Sequence, residues 1–231
     1  MSVSYEVKIN GFHGTIDYYS KRILLTKEFT YQYRDNHWLG QGIYFYRDDY
    51  DQAYWWSGKT RDLERKRRKI KGKALRRKVI KCDFTLMSEN MINLDTDTGK
   101  RIFKSEQSRV HEGITFKISD HADASNKYRC ALIDLFDNKF KVIQYTFIET
   151  REKKANKDSL FKELGIVQNG VQICVRDPEV LKGADIQLIE HKRTVNYGTL
   201  TKQTEQGKFE VKEVKHQSKE KRKKFHYGSE N

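Results

Sequence analysis

The chain has 231 residues, the size of one ordinary domain with an attached tail or at most two small ones. Lys and Arg number 46 against 32 Asp and Glu, and the formal net charge of +14 predicts attraction to polyanions, nucleic acid first among them. Three widely spaced cysteines, Cys82, Cys130 and Cys174, exclude a disulfide framework and a zinc site and fit a reducing, cytoplasmic setting. No apolar run approaches the ~18 residues of a membrane span, so no membrane partner is expected.

Residues 5–12 alternate in polarity and predict a strand that delivers His13 to its end. Residues 15–25 predict a helix capped by Thr15 or Asp17, and 26–37 a loop. Gly40 and Gly42 then flank a turn, Ile43, Tyr44 and Phe45 have high strand propensity, and Asp48 and Asp49 are candidate caps for a helix from Tyr50 to about Trp56. Further strands are predicted at 76–86, 142–148, 171–175 and 186–189; residues 103–118 are ambiguous between helix and other structure, 128–136 read as a helix or buried segment, and 150–164 as a charged helical or loop insertion. Arg176-Asp177-Pro178 ends the strand at 171–175, because proline donates no ladder hydrogen bond. Short strands with a few helices make an α+β domain over residues 1–190. Residues 191–231 carry few apolar side chains and predict a basic, flexible C-terminal tail.

The aromatic stretch at 38–56 is the most informative. Flat rings beside glycines suit a heteroaromatic ligand: a π-face binds the ring while backbone amides reach its edge. Gly42-Ile43-Tyr44, followed by Ala53 and Trp55 and preceded by His13-Gly14-Thr15, resembles the nicotinamide-binding segments of the ADP-ribosyltransferase superfamily. The pattern is shared by the poly(ADP-ribose) polymerases and diphtheria toxin. The resemblance implies a split two-sheet mixed β core with peripheral helices, and NAD as co-substrate with no metal. It also assigns roles. His13 would hydrogen-bond the adenosine ribose, Gly14 would hold the carboxamide, and Tyr44 would stack on nicotinamide with Trp55 as second wall. Tyr54 and Trp56 compete for that wall if the helix phase differs by one residue. Thr15 and Gly42 complete the implied cofactor-binding set.

The family's late-strand glutamate is replaced. Gln172-Ile173-Cys174-Val175 looks like that strand, with glutamine where a carboxylate would face the ribosyl cation. Glutamine donates and accepts but carries no full charge, so single ADP-ribose transfer is expected rather than polymer formation. Glu149, Asp177 or Glu179 are candidates to compensate. The second-histidine and arginine pattern of the RNA 2′-phosphotransferases is not evident.

Arg65-Lys66-Arg67-Arg68-Lys69 follows the aromatic stretch and opens an intensely basic run, read either as a solvated face or as a nucleic-acid footprint. The expected function is mono-ADP-ribosylation of nucleic acid, RNA favoured over DNA, by a toxin or anti-phage defence effector, with a neutralising antitoxin as a protein partner. The alternatives are a protein acceptor, or a catalytically weak member of the fold that binds nucleic acid or nucleotide.

Overall fold

The computed structural model describes residues 4–67, 69–113, 124–148, 169–190, 198–203 and 209–214. The chain divides after His191 into two units. In the first, alternation over Glu6–Ile16 forms β1, which runs into helix α1, Asp17–Thr26. The strand is longer than its sequence suggests. Thr15 and Ile16 extend it by pairing with Lys78 and Arg77, and the helix starts at Asp17 with no side-chain cap at Ile16.

Strand β2, Ile43–Arg47, leads into α2, Tyr50–Arg67. Asp49 is the cap: its carboxylate accepts from the Gln52 amide at 2.9 Å. Helix α2 runs far past Trp56, and its basic last turn, Arg65, Lys66 and Arg67, suits the negative end of the helix dipole. No apolar stripe announces this extension, because the buried side is built from Ala53, Ser57 and Glu64.

Strands β3, Arg77–Met87, and β4, Met91–Asn93, precede α3, Asp97–Gly113. Helix α4, Ala124–Asp134, is followed by β5, Val142–Ile148, β6, Asn169–Val175, and β7, Asp185–Ile189. Together they form an α+β unit: one seven-stranded mixed sheet, ordered β4-β5-β6-β2-β1-β3-β7, with four helices. Its only parallel pair among the described strands is β4 with β5.

Alternation divides the sheet's side chains between two faces. Ile9, Ile43, Phe45, Ile80, Phe84, Val142, Ile173 and Val175 pack with Ile23 of α1 and Phe29. Ile92, Ile143 and Cys174 pack with Val110 of α3 and with Leu132 and Ile133 of α4. Tyr46 and Val79 lie against Ala53 of α2.

In place of the two sheets expected, the unit has one continuous sheet. Strands β1 and β2 remain neighbours, yet pair only at Gly11↔Arg47 and Phe12↔Tyr46. By contrast β1 pairs with β3 along its whole length, from Glu6↔Met87 to Ile16↔Arg77. Beyond Phe12 the two central strands part, and that gap holds the site.

The second unit contains a hairpin of β8, Gly198–Gln203, and β9, Phe209–Val214, paired from Gly198↔Val214 to Gln203↔Phe209. It falls where the sequence predicts a tail. Alternation of Leu200 with Thr199 and Thr201, and of Val211 with Glu210 and Lys212, is the local pattern that supports it.

Candidate active site

A cavity of about 380 Å³ opens where β1 and β2 diverge, and His13, Gly14, Thr15, Gly42, Tyr44 and Gln172 all line it. Those six are the cofactor and catalytic residues expected from sequence, apart from Trp55. They come from three separate strands or strand ends.

His13 bridges the gap. Its Nδ1 donates to the Tyr44 carbonyl at 2.8 Å. A carbonyl can only accept, so Nδ1 carries the proton and Nε2 is left as the ring's acceptor. Burial, partly offset by this bond, lowers the pKa of His13 and keeps the ring neutral. Phe29 and Phe45, with ring centroids 5.4 and 5.7 Å away, fix its plane. A neutral imidazole with a free lone pair is suited to receive a hydroxyl proton.

The Tyr44 hydroxyl is fully committed. It accepts from the Leu39 amide and donates to the Gly40 carbonyl, each at 2.8 Å. Burial raises its pKa well above the ordinary phenol value, so it does not serve as a base. What it offers the cavity is its ring, and His37 stands edge-on to that ring at 5.2 Å.

The glycines are there for close approach. A Cβ on Gly14 would lie 1.9 Å from the Ala53 carbonyl oxygen, so only glycine lets α2 sit directly on β1. On Gly42 it would lie 2.5 Å from the Val175 carbonyl oxygen. Gly40 has φ +81°, which glycine adopts without steric cost, and a Cβ there would meet the Ile133 side chain at 2.6 Å.

Gln172 is 5% exposed. Its Nε2 donates to the Tyr46 hydroxyl at 3.2 Å, and Tyr46 lines the same cavity. The amide is thus held in the wall of the cavity that Tyr44 also lines.

Trp55 departs from expectation. It is Trp56 that lines the cavity, one helical position on, while Trp55 is outside the lining, with Lys59 Nζ 5.2 Å from its ring centre. Tyr54 stacks on Tyr50 at 5.9 Å and carries the Arg77 guanidinium at 4.0 Å. The phase of α2 decides this: Ala53 faces Gly14, and a residue three further on shares its side of the helix.

The compensating carboxylates lie elsewhere. Asp177 accepts from the Glu179 amide and pairs with Lys141, and Glu179 pairs with Lys182; neither lines the cavity. Glu149 lies outside the described residues. The carboxylates in the lining are Glu28 and Glu64. Glu64 is 3% exposed and accepts from Arg67 at 3.0 Å. Tyr19, also in the lining, has its pKa raised by burial and by Glu64. Arg22 and Arg34 add cations to the same wall. A sequence search for motifs had no means of finding these residues, since they flank no recognisable pattern.

Of the basic run, Arg65 and Lys66 are exposed at the end of α2, as is Lys69 beyond it, while Arg67 is drawn to Glu64. Arg68 lies outside the described residues. Thr60, Leu63 and Glu64 border the cavity, so the basic turn begins at its rim. Among the described residues, no group of three or more His, Cys, Asp or Glu could hold a metal ion, and no helix is long and apolar enough to cross a membrane.

No protein-family profile matches the chain, and no solved structure does. The chain is similar to uncharacterized protein MJ0359 of Methanocaldococcus jannaschii, 27% identical across 76% of this chain and 86% of that protein.

Proposed function

We propose that the protein is an NAD-dependent mono-ADP-ribosyltransferase with the transferase fold, acting on nucleic acid, RNA in preference to DNA, as a cytoplasmic toxin or defence effector. The supporting observation is the meeting of His13 and Gly14 with Tyr44 and Gln172, far from them in sequence, around one cavity between two parting strands. The parting of β1 from β2 also supports reading the sheet as the split transferase core.

In this reading NAD is a substrate. The Nε2 atom of His13 accepts a hydroxyl of the adenosine ribose, and the Gly14 backbone holds the carboxamide. The Tyr44 ring and Trp56 enclose the nicotinamide, which fixes the leaving group. The glycosidic bond breaks with its electron pair going to nicotinamide, leaving positive charge on the ribose. Gln172 orients the ribose through its carbonyl oxygen while its amide is anchored to Tyr46. Without a full negative charge at that position the rate is lower by a factor of about 100 to 1000 than a carboxylate would give. The acceptor nucleophile then attacks the anomeric carbon and gives up its proton to solvent, so that ADP-ribosylated acceptor, nicotinamide and a proton are the products.

The basic turn beginning at the cavity rim favours a polyanionic acceptor. An antitoxin would be the natural partner of such an enzyme. A second reading, binding without turnover, draws on Gln172 itself.

Incubation with NAD labelled in the adenylate, together with total RNA, DNA and protein, tests the proposal. Label on nucleic acid with stoichiometric nicotinamide release is expected. Label confined to protein overturns the acceptor, and no nicotinamide release with any acceptor overturns the enzyme.

A further inference from the structure

Five aromatic rings form a continuous row across the cavity. Trp55 adjoins Trp56 at 5.8 Å, Trp56 adjoins Trp38 at 6.5 Å, Trp38 adjoins Phe147 at 4.6 Å, and Phe147 adjoins Tyr145 at 4.7 Å. Trp38 and Trp56, in the middle, line the cavity, and the other three carry the row beyond it on both sides. The two tryptophans of α2, Trp38 and Phe147 are half-buried, and Tyr145 is 38% exposed. Cations sit over two of these rings, Lys59 over Trp55 at 5.2 Å and Arg129 over Phe147 at 5.7 Å.

The sheet aligns this row with the reacting end of the site. Tyr145 of β5 stands directly opposite Gln172 of β6, and Gln172 directly opposite Tyr46 of β2. Residues directly opposite in an antiparallel ladder share a face, so Tyr145, Gln172 and Tyr46 project to the same side. Tyr145 and Phe147, two apart on one strand, do so as well. A ligand lying along the rings therefore passes beside Gln172.

We infer that this row is a docking track for single-stranded nucleic acid, whose unpaired bases stack on the rings and bring one nucleotide to the cavity. The inference deepens the proposed function and rests on it for the chemistry, although not for the binding. Adjoining rings, tilted or edge-on to one another, with cations over two of them, fit a strand that offers flat bases and phosphates at once, and base stacking on aromatic side chains tolerates any sequence. A duplex hides its base faces inside its own stack and cannot use such a track. The chain's net charge of +14 adds complementarity to the phosphates. An acidic peptide would match the cations but would leave the run of rings without partners.

The test is fluorescence anisotropy without NAD, using fluorescein-labelled 15-nucleotide oligo(U), oligo(dT) and a blunt duplex of the same length. Both single strands should bind at least tenfold more tightly than the duplex and quench tryptophan fluorescence, and the tighter of the two identifies the sugar preferred. Tyr145→Ala and Trp55→Ala should each weaken single-strand binding about 5- to 150-fold, the range for loss of one stacking ring. Lys59→Gln, at an exposed position, should reduce the salt dependence. Tyr145→Ala should leave nicotinamide release without acceptor unchanged. Equal binding of duplex and single strand, or indifference to both ring substitutions, overturns the track. Because the assay contains no NAD, single-strand binding with no nicotinamide release would sink the enzyme and keep the track. Nicotinamide release without strand preference would do the reverse.

Discussion

His13 donates its Nδ1 proton to the main-chain carbonyl of Tyr44 across 2.8 Å, joining two strands where their own ladder has ended. This bond fixes the tautomer of the histidine and the position of the tyrosine backbone in one step. Replacing His13 by Ala removes both the acceptor at Nε2 and the tie between the strands. Nicotinamide release is expected to fall by about 100-fold or more, mainly through NAD binding. Tyr44→Phe keeps the ring but frees the Leu39 amide and the Gly40 carbonyl, and should cost about 1 to 3 kcal/mol of stability. Tyr44→Ala removes the ring as well and should abolish turnover. Steady-state kinetics on the three variants, with urea titrations in parallel, would separate these effects; full activity in Tyr44→Ala is incompatible with the assigned wall.

Gln172 permits a gain-of-function experiment. Its neighbour Tyr46 has a hydroxyl that can donate to a carboxylate, so Gln172→Glu introduces charge with a partner within reach. The rate of nicotinamide release should rise, by up to about 100- to 1000-fold, while Gln172→Ala should lower it. A glutamate variant slower than the native protein would show that the amide is chosen for its donor, not tolerated for want of a carboxylate.

Glycine substitutions separate close approach from helix propensity. Gly14→Ala sets a methyl group 1.9 Å from the Ala53 carbonyl, which backbone cannot yield cheaply, and should destabilise the fold by about 3 kcal/mol or more. Gly58→Ala, inside α2 with its nearest neighbour the Arg77 side chain at 3.7 Å, should stabilise by about 0.5 to 1 kcal/mol. Urea midpoints of the two variants on either side of the native value are the expected result.

The sequence was legible wherever an element carried its own periodicity or a fixed local pattern. Strand β5 reads directly from Val-Ile-Gln-Tyr-Thr-Phe-Ile, and Ile43-Tyr44-Phe45 predicts the strand that starts after Gly42. What escaped was tertiary. Helix α2 buries Ala53, Ser57 and Glu64, residues that no hydrophobicity pattern marks, so its length was hidden. The exchange of Trp55 for Trp56 follows from a helix phase set by contact with Gly14, a residue on another element. Glu64, Tyr19, Arg22 and Arg34 reach the cavity through packing of α1, α2 and the following loop, and each alone looks like an ordinary surface residue.

All three thiols should be unreactive in the folded protein. Cys82, Cys130 and Cys174 are free and buried. Burial pushes Cys82 up to about 12 and Cys130 up to about 11, and raises Cys174 as well. Thiolate is the reactive form, so at pH 8 it is scarce at each site. A thiol reagent should titrate none of the three in buffer and all three in denaturant. Rapid labelling of Cys130 would mean that the contacts between α4 and the loop at Arg34 and Gln41 open readily.

Stability should fall as acid is added, and His13 supplies part of the reason. Its folded pKa lies below the ordinary value of 6.5 because burial disfavours the cation. As pH drops below 6.5 the unfolded chain takes up a proton that the folded chain refuses, so the unfolded state gains. The contribution is therefore intact above pH 6.5 and is lost on descending toward the lowered folded value, with a slope of at most about 1.4 kcal/mol per pH unit. His37 acts with the same sign, through burial first and then the charge of Arg34. Urea unfolding at intervals from pH 8 to pH 5 should show the decline, and His13→Gln should make it shallower. A decline as steep in the glutamine variant as in the native protein would place the acid sensitivity in groups other than this histidine.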